Sequence, residues 1–185
     1  MPRVGTSGPT RVELEAAADR VIPDVAGPGL RVLFCGINPG LYSAWTGHHF
    51  ARPGNRFWPA LHRSGFTPRQ LRPAEQDKLL ELGLGATNVV ERASARADEL
   101  TRAELRLGGE VLRDKVRRLA PGWLAVLGVT AYRSAFDDAK VTVGPQQERW
   151  GATRVWVLPN PSGLNAHYSV QALAEQFAAL RSKAG

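Results

Sequence analysis

A single cysteine in 185 residues removes any internal disulfide and leaves no thiolate set for a metal centre. No apolar run approaches the roughly 18 residues that a membrane-spanning helix needs. The first twenty residues lack the apolar core of a secretory signal, so the expected location is the cytoplasm, with no membrane partner. Acidic residues are in deficit: 17 Asp and Glu face 24 Lys and Arg, a net charge of +7. Arginine carries most of that surplus, which favours a polyanionic partner. What is present is enough apolar side chain, 43% of the sequence, to build a core and exclude wholesale disorder.

Residues 1–29 are rich in proline, glycine and small polar types. They read as an extension outside the core, partly disordered, with one short helix over Arg11–Val21. A single domain is expected over residues 30–185. Within it, four apolar runs ending in glycine, valine or proline read as buried parallel strands: Leu30–Gly36, Gly85–Val90, Trp123–Gly128 and Thr153–Pro159. Helical patterns fall between and after them, over Arg56–Ser64, Ala74–Leu82, Thr101–Leu119, Thr130–Phe136 and Ser169–Leu180. The longest carries a stripe of Leu105, Leu107, Val111, Leu112, Val116 and Leu119. Alternation of this kind predicts an α/β fold, with three α/β/α layers around a four-stranded, mostly parallel sheet. Ligands of such sheets bind beyond the carboxyl ends of the strands.

Two of the loops at that end share a feature. Asn38-Pro39-Gly40-Leu41 follows the first strand and Asn160-Pro161-Ser162-Gly163-Leu164 follows the fourth. Proline fixes the backbone at each corner, so both asparagines should project from rigid ground. Ordinary turn chemistry explains one such pair. Two of them, at the ligand-binding ends of one sheet, point to a shared crevice.

GINPGL at 36–41, TGHHFARPGNRFW at 46–58 and VWVLPNPSGL at 155–164 closely resemble the bacterial mismatch-specific uracil-DNA glycosylases. These are relatives of thymine-DNA glycosylase within the uracil-DNA glycosylase superfamily. The resemblance runs from about Leu30 to Leu180. It implies removal of uracil from double-stranded DNA, preferably opposite guanine, by a monomer without metal or cofactor. It also implies roles for particular residues. Asn38 would position the attacking water. Phe50 would stack on the flipped base, with Gly36, backbone groups of Ile37, Gly40 and Phe50 itself at the base edge. Ser43 would line the pocket near carbon 5 and govern entry of a methyl group. Asn160 would brace the pocket floor or touch the substrate backbone. Leu164 would fill the gap left by the extruded nucleotide, with Gly163 close to the opposite base and Ser162, Asn165 and Ser169 near phosphates.

The chemistry agrees with the residue types. A base must leave the stack before its glycosidic bond can be reached, and an apolar wedge offsets part of the unstacking cost. An amide accepts a hydrogen bond from water but does not take its proton near neutral pH. Asp98 is a departure, since the family tends to carry an amide there. It either supplies the base that Asn38 lacks, activating water or stabilising the cationic sugar, or it caps the helix starting near Thr101 or is merely solvated. His48 and His49 lack a third ligand for a metal, and His49 reads as a DNA contact or a surface residue. Arg52, Arg56, Arg63 and Arg69 form a candidate basic face, with Arg56 also suited to bridging structure. No lysine occupies these motifs, so a Schiff-base lyase step is not indicated. Two other functions fit less well: a catalytically silent damage binder, and a nucleotide-binding module, for which the GxGxxG spacing is missing.

Overall fold

The computed structural model describes residues 7–185; residues 1–6, part of the expected extension, lie outside the described residues. Its centre is a sheet of β1 (Val32–Gly36), β2 (Leu84–Asn88), β3 (Trp123–Leu127), β4 (Gly144–Trp150) and β5 (Thr153–Leu158). The order is β2-β1-β3-β5-β4, parallel except for β4 against β5. The sheet therefore has five strands where sequence reading expects four. The extra one, GPQQERW, is buried only at its two ends. Such an edge strand carries no apolar alternation, and it holds a proline and a register shift that a central strand would not tolerate.

β1, β2 and β3 are buried along their length and β5 everywhere but at Arg154, and successive side chains enter opposite layers. Val32, Phe34, Ala125, Leu127, Trp156 and Leu158 meet Phe57, Leu61, Leu173 and Phe177. These last four belong to α3 (Phe57–Arg63) and α7 (Val170–Ala184). Leu33, Cys35, Leu124, Val126, Val155 and Val157 meet Leu105, Leu112, Val116 and Tyr132. That second layer is α5 (Arg102–Leu119) with α6 (Val129–Phe136). The three-layer α/β/α expectation stands. Cys35 is fully buried, and desolvation raises its thiol pKa. Leu107 and Val111 depart from the expected stripe: they are exposed on the outer side of α5.

The amino-terminal segment differs more. Its helix, α1 (Arg11–Glu15), is one turn closed by a Thr10–Glu13 capping box. The chain then returns to the body as a strap. Ala17, Ile22 and Val25 are buried, and Val25 exchanges backbone hydrogen bonds with Ala86 on the outer edge of β2. Packing on the domain thus begins well before Leu30, because scattered apolar residues in a polar, proline-containing stretch cover a strand edge. Two short helices complete the set, α2 (Leu41–Thr46) and α4 (Lys78–Glu81). The first falls in what sequence reads as loop; the second is the remnant of the expected Ala74–Leu82 helix. No helix of the described residues is long and apolar enough to cross a membrane.

Candidate active site

β1 and β3 are neighbours, while the chain leaves them toward opposite edges of the sheet. This switch point opens a crevice at the strands' carboxyl ends. A cleft of about 820 Å³ lies there, lined by Gly36–Gly40 after β1, Asn88 of β2, Ser94–Asp98, Gly128–Ala131 after β3 and Pro159–Ser162 after β5. Asn38 and Asn160 both face it, so the two Asn-Pro corners share one crevice.

Asn38 is held from behind. Its Nδ2 donates to the Arg92 carbonyl at 3.1 Å and to Ser94 Oγ at 2.8 Å, and the Ser94 hydroxyl donates on to the Arg96 carbonyl at 2.7 Å. The amide oxygen is left as an acceptor. The loop supplying these partners is itself fixed. Ala93 bonds to the backbone of Asp19 and Arg20 in the strap, and Arg92 pairs with Glu104 on α5. That pairing, with help from the Thr101 N–H, holds the Glu104 carboxyl down at about 2. Ser94 is buried and escaped sequence reading, where it is one small residue in a polar run.

Phe50 takes the left-handed region, with φ of 54°, and its ring lies 4.1 Å from that of Phe57. Its loop is pinned on both sides: Ala51 N–H donates to Ser43 Oγ at 3.0 Å, and His49 N–H to Gln76 Oε1 at 2.8 Å. Ser43 is thus buried beneath the loop while still lining the cleft. Gly36 matters for the side chain it lacks. A Cβ there would stand 2.7 Å from Asn88 Oδ1 and 3.2 Å from the Phe50 ring. The carbonyls of Gly36 and Ile37 are already taken by Val89 and Val90 N–H groups, which limits what they can offer a ligand. Gly40 opens α2 as its N-cap. Gly36→Ala is expected to displace the Asn88 amide and lower the melting temperature by several degrees. A melting curve equal to the parent's would contradict that reading of the contact.

Like Ser94, Asn88 escapes sequence reading, and His49 is misplaced by it. Asn88 ends β2, is buried and shares with the Phe50 ring the face where Gly36 lacks a side chain. His49 is 1% exposed rather than a surface residue. Burial lowers its pKa, against the partial opposition of the Pro23 carbonyl bonded to Nε2 at 3.0 Å.

The loop after β5 is built differently. Asn160 Oδ1 accepts Ser162 N–H at 2.9 Å, and its carbonyl accepts Asn165 Nδ2 at 2.9 Å, so Asn160 shapes the turn as well as facing the cleft. Arg56 staples this loop to α3: its guanidinium donates to the carbonyls of Ser162 at 2.6 Å, Asn165 at 2.7 Å and Tyr168. Gly163 touches the Gly54 backbone, where a Cβ would come within 2.7 Å of the carbonyl. Ser169 caps α7 by accepting Ala172 N–H. Leu164 is 78% exposed at the cleft rim. Asp98 also rims the cleft, on a 3-10 turn over Ala97–Glu99, with its carboxylate 2.9 Å from Arg96 Nε. It does not cap α5; Thr101 does, in a box with Glu104. Arg52 faces the cleft, whereas Arg69 is engaged by Glu75. Among the described residues no three His, Cys, Asp or Glu side chains converge as a metal site.

Residues 23–181 match the sequence model of the uracil DNA glycosylase superfamily. The chain belongs to that superfamily. Its activity class is accordingly that of a DNA glycosylase, a hydrolase of base excision repair acting on uracil in DNA. In this uracil DNA glycosylase fold, the matched span begins at Pro23, inside the strap and ahead of the boundary that composition suggests.

Proposed function

We propose that the protein is a monofunctional, mismatch-directed uracil-DNA glycosylase: a cytoplasmic, nucleoid-associated monomer that acts on uracil opposite guanine. The observation that carries this reading is the single cleft holding both asparagine corners, with the Phe50 platform inside and an exposed Leu164 at its rim. A flipped uracil stacks on Phe50, with the Asn88 amide and the backbone of residues 36–40 and 50 at its edge. The N1–C1′ bond breaks with its electron pair moving onto uracil, and donors around the base stabilise that anion. Asn38 Oδ1 and Ser94 Oγ orient a water whose oxygen bonds to C1′; the proton it sheds is matched by one taken up by the departing uracil anion, leaving an abasic site and neutral uracil. Ser43 limits room for a 5-methyl group, which sets the acceptance of thymine. Gly163 brings backbone toward the opposite base, while Ser162 and Asn165 lie toward the phosphates. No lysine is among the described residues lining the cleft, which supports the monofunctional reading.

The test is release of free base from duplexes carrying U·G, U·A, T·G or C·G, followed by alkaline cleavage of abasic sites. Fastest release from U·G is expected; tight binding without release would make the protein a silent damage binder instead. Leu164→Ala is expected to slow excision from duplex DNA about tenfold, since the wedge offsets part of a cost of a few kcal/mol. The same variant should melt like the parent, because the side chain is exposed, and should lose nothing on single-stranded substrate. Equal losses on both substrates would assign Leu164 a role other than filling the duplex.

A further inference from the structure

His49 lies behind the base-binding end of the cleft, and neither of its ring nitrogens faces solvent as an open site: the residue is 1% exposed. Nε2 lies 3.0 Å from the Pro23 carbonyl, a group that only accepts. Nε2 therefore carries the proton, and in a neutral imidazole Nδ1 is then a bare acceptor. The partner facing Nδ1 is Asn88 Nδ2, at 3.5 Å. With its NH2 directed to His49, the Asn88 amide sets Oδ1 on the face where Gly36 lacks a side chain, a face that the edge of the Phe50 ring also borders. The strap that supplies the Pro23 carbonyl is anchored next door. Asp24 accepts from Thr87 at 2.7 Å and from Lys115 at 2.6 Å, and Val25 pairs with Ala86.

We propose that His49 is a specificity-positioning residue: through its bare Nδ1 it fixes the Asn88 amide with oxygen toward the cleft, so that the site selects a base donating N3–H. This rests on the uracil-glycosylase reading and adds a relay from the strap to the base. Uracil offers N3–H to that oxygen. Cytosine presents a lone pair at N3, and a 3-methylated uracil presents a methyl group. A site built to pair a donor rejects an analogue without one strongly, because its own polar group is left unpaired. Protonation of His49 would place a donor on Nδ1 and turn the amide round. Burial opposes that, as do His48 and Lys115; the Pro23 carbonyl and Asp24 favour it, and burial prevails.

The experiment measures single-turnover release of uracil and of 3-methyluracil from the same oligonucleotide by the parent, His49→Leu and His49→Asn. The parent is expected to favour uracil by on the order of 10²-fold or more. His49→Leu should compress that ratio at least about tenfold. His49→Asn, whose amide oxygen can stand in for Nδ1, should restore most of it. Because burial holds the His49 pKa below that of a free imidazole, the parent's ratio should shrink only on the acid side of the ordinary imidazole range, and the Asn variant's should not. A ratio unchanged in His49→Leu, with both rates falling together, would make His49 merely structural and overturn the proposal. So would a parent that releases both bases equally. Should His49→Leu fail to fold, the Asn variant and the pH series still decide. Release of no uracil at all by the parent is a different result, which removes the functional reading itself.

Discussion

Asn38→Ala is expected to lower single-turnover uracil release about 10²-fold while duplex affinity stays near that of the parent. In the proposed role the side chain holds one reactant, so its loss would be a loss of positioning, and misplacement by an ångström has consequences of that order. Two hydrogen bonds disappear with it, those from Nδ2 to Arg92 and Ser94. At about 1 kcal/mol each these shift the thermal midpoint by several degrees and do not unfold the chain. Asn38→Asp separates orientation from proton transfer. A carboxylate at 38 could take a proton, but it cannot donate to Ser94, and it sets a negative charge against the Arg92 carbonyl. The aspartate variant is therefore expected to be slow as well. A rate within about threefold of the parent in the alanine variant would show that water is positioned elsewhere.

Much of this arrangement is legible from residue order, and the reasons differ by element. The parallel strands are readable because burial on both faces demands unbroken apolar runs such as Leu124–Leu127 and Val155–Leu158. The corners are readable because proline and glycine constrain the turn wherever they occur. β4 is not, since an edge strand faces water and its GPQQERW carries no alternation. α2 is not, because LYSAWT between two glycines is too short for a period to emerge. Asn88 and Ser94 are invisible, and His49 is misread, for another reason. Each is an isolated polar residue whose role depends on neighbours 39 or 56 positions away, such as His49 beside Asn88 and Asn38 beside Ser94. The strap fails on composition: its polar majority hides Ile22 and Val25, which are enough to seal a strand edge. In each of these cases the missing information is tertiary contact, not local propensity.

That same loop beyond β2 frames the remaining large effect, at Asp98. Forming an abasic site removes one proton from the attacking water, and neither Asn38 nor Ser94 can accept it near neutral pH. Among the described residues lining the cleft, Asp98 is the only carboxylate. Its present partner is Arg96, at 2.9 Å, with the side chains 73% and 74% exposed. An ion pair so open to solvent holds its members only weakly. The proposal for Asp98 is that a DNA phosphate at the rim would compete for Arg96 and free the carboxylate for the sugar, where it would take the proton or face the cationic ring. On this proposal Asp98→Ala lowers single-turnover excision about 10²-fold. DNA affinity holds or rises slightly, since one negative charge leaves a phosphate-binding surface. Asp98→Asn decides between proton transfer and simple hydrogen bonding: it keeps shape and polarity yet should be as slow as alanine. Excision at the parent's rate in both variants would leave Asp98 as the partner of Arg96 and nothing more, and would pass the proton from Asn38-bound water directly to solvent.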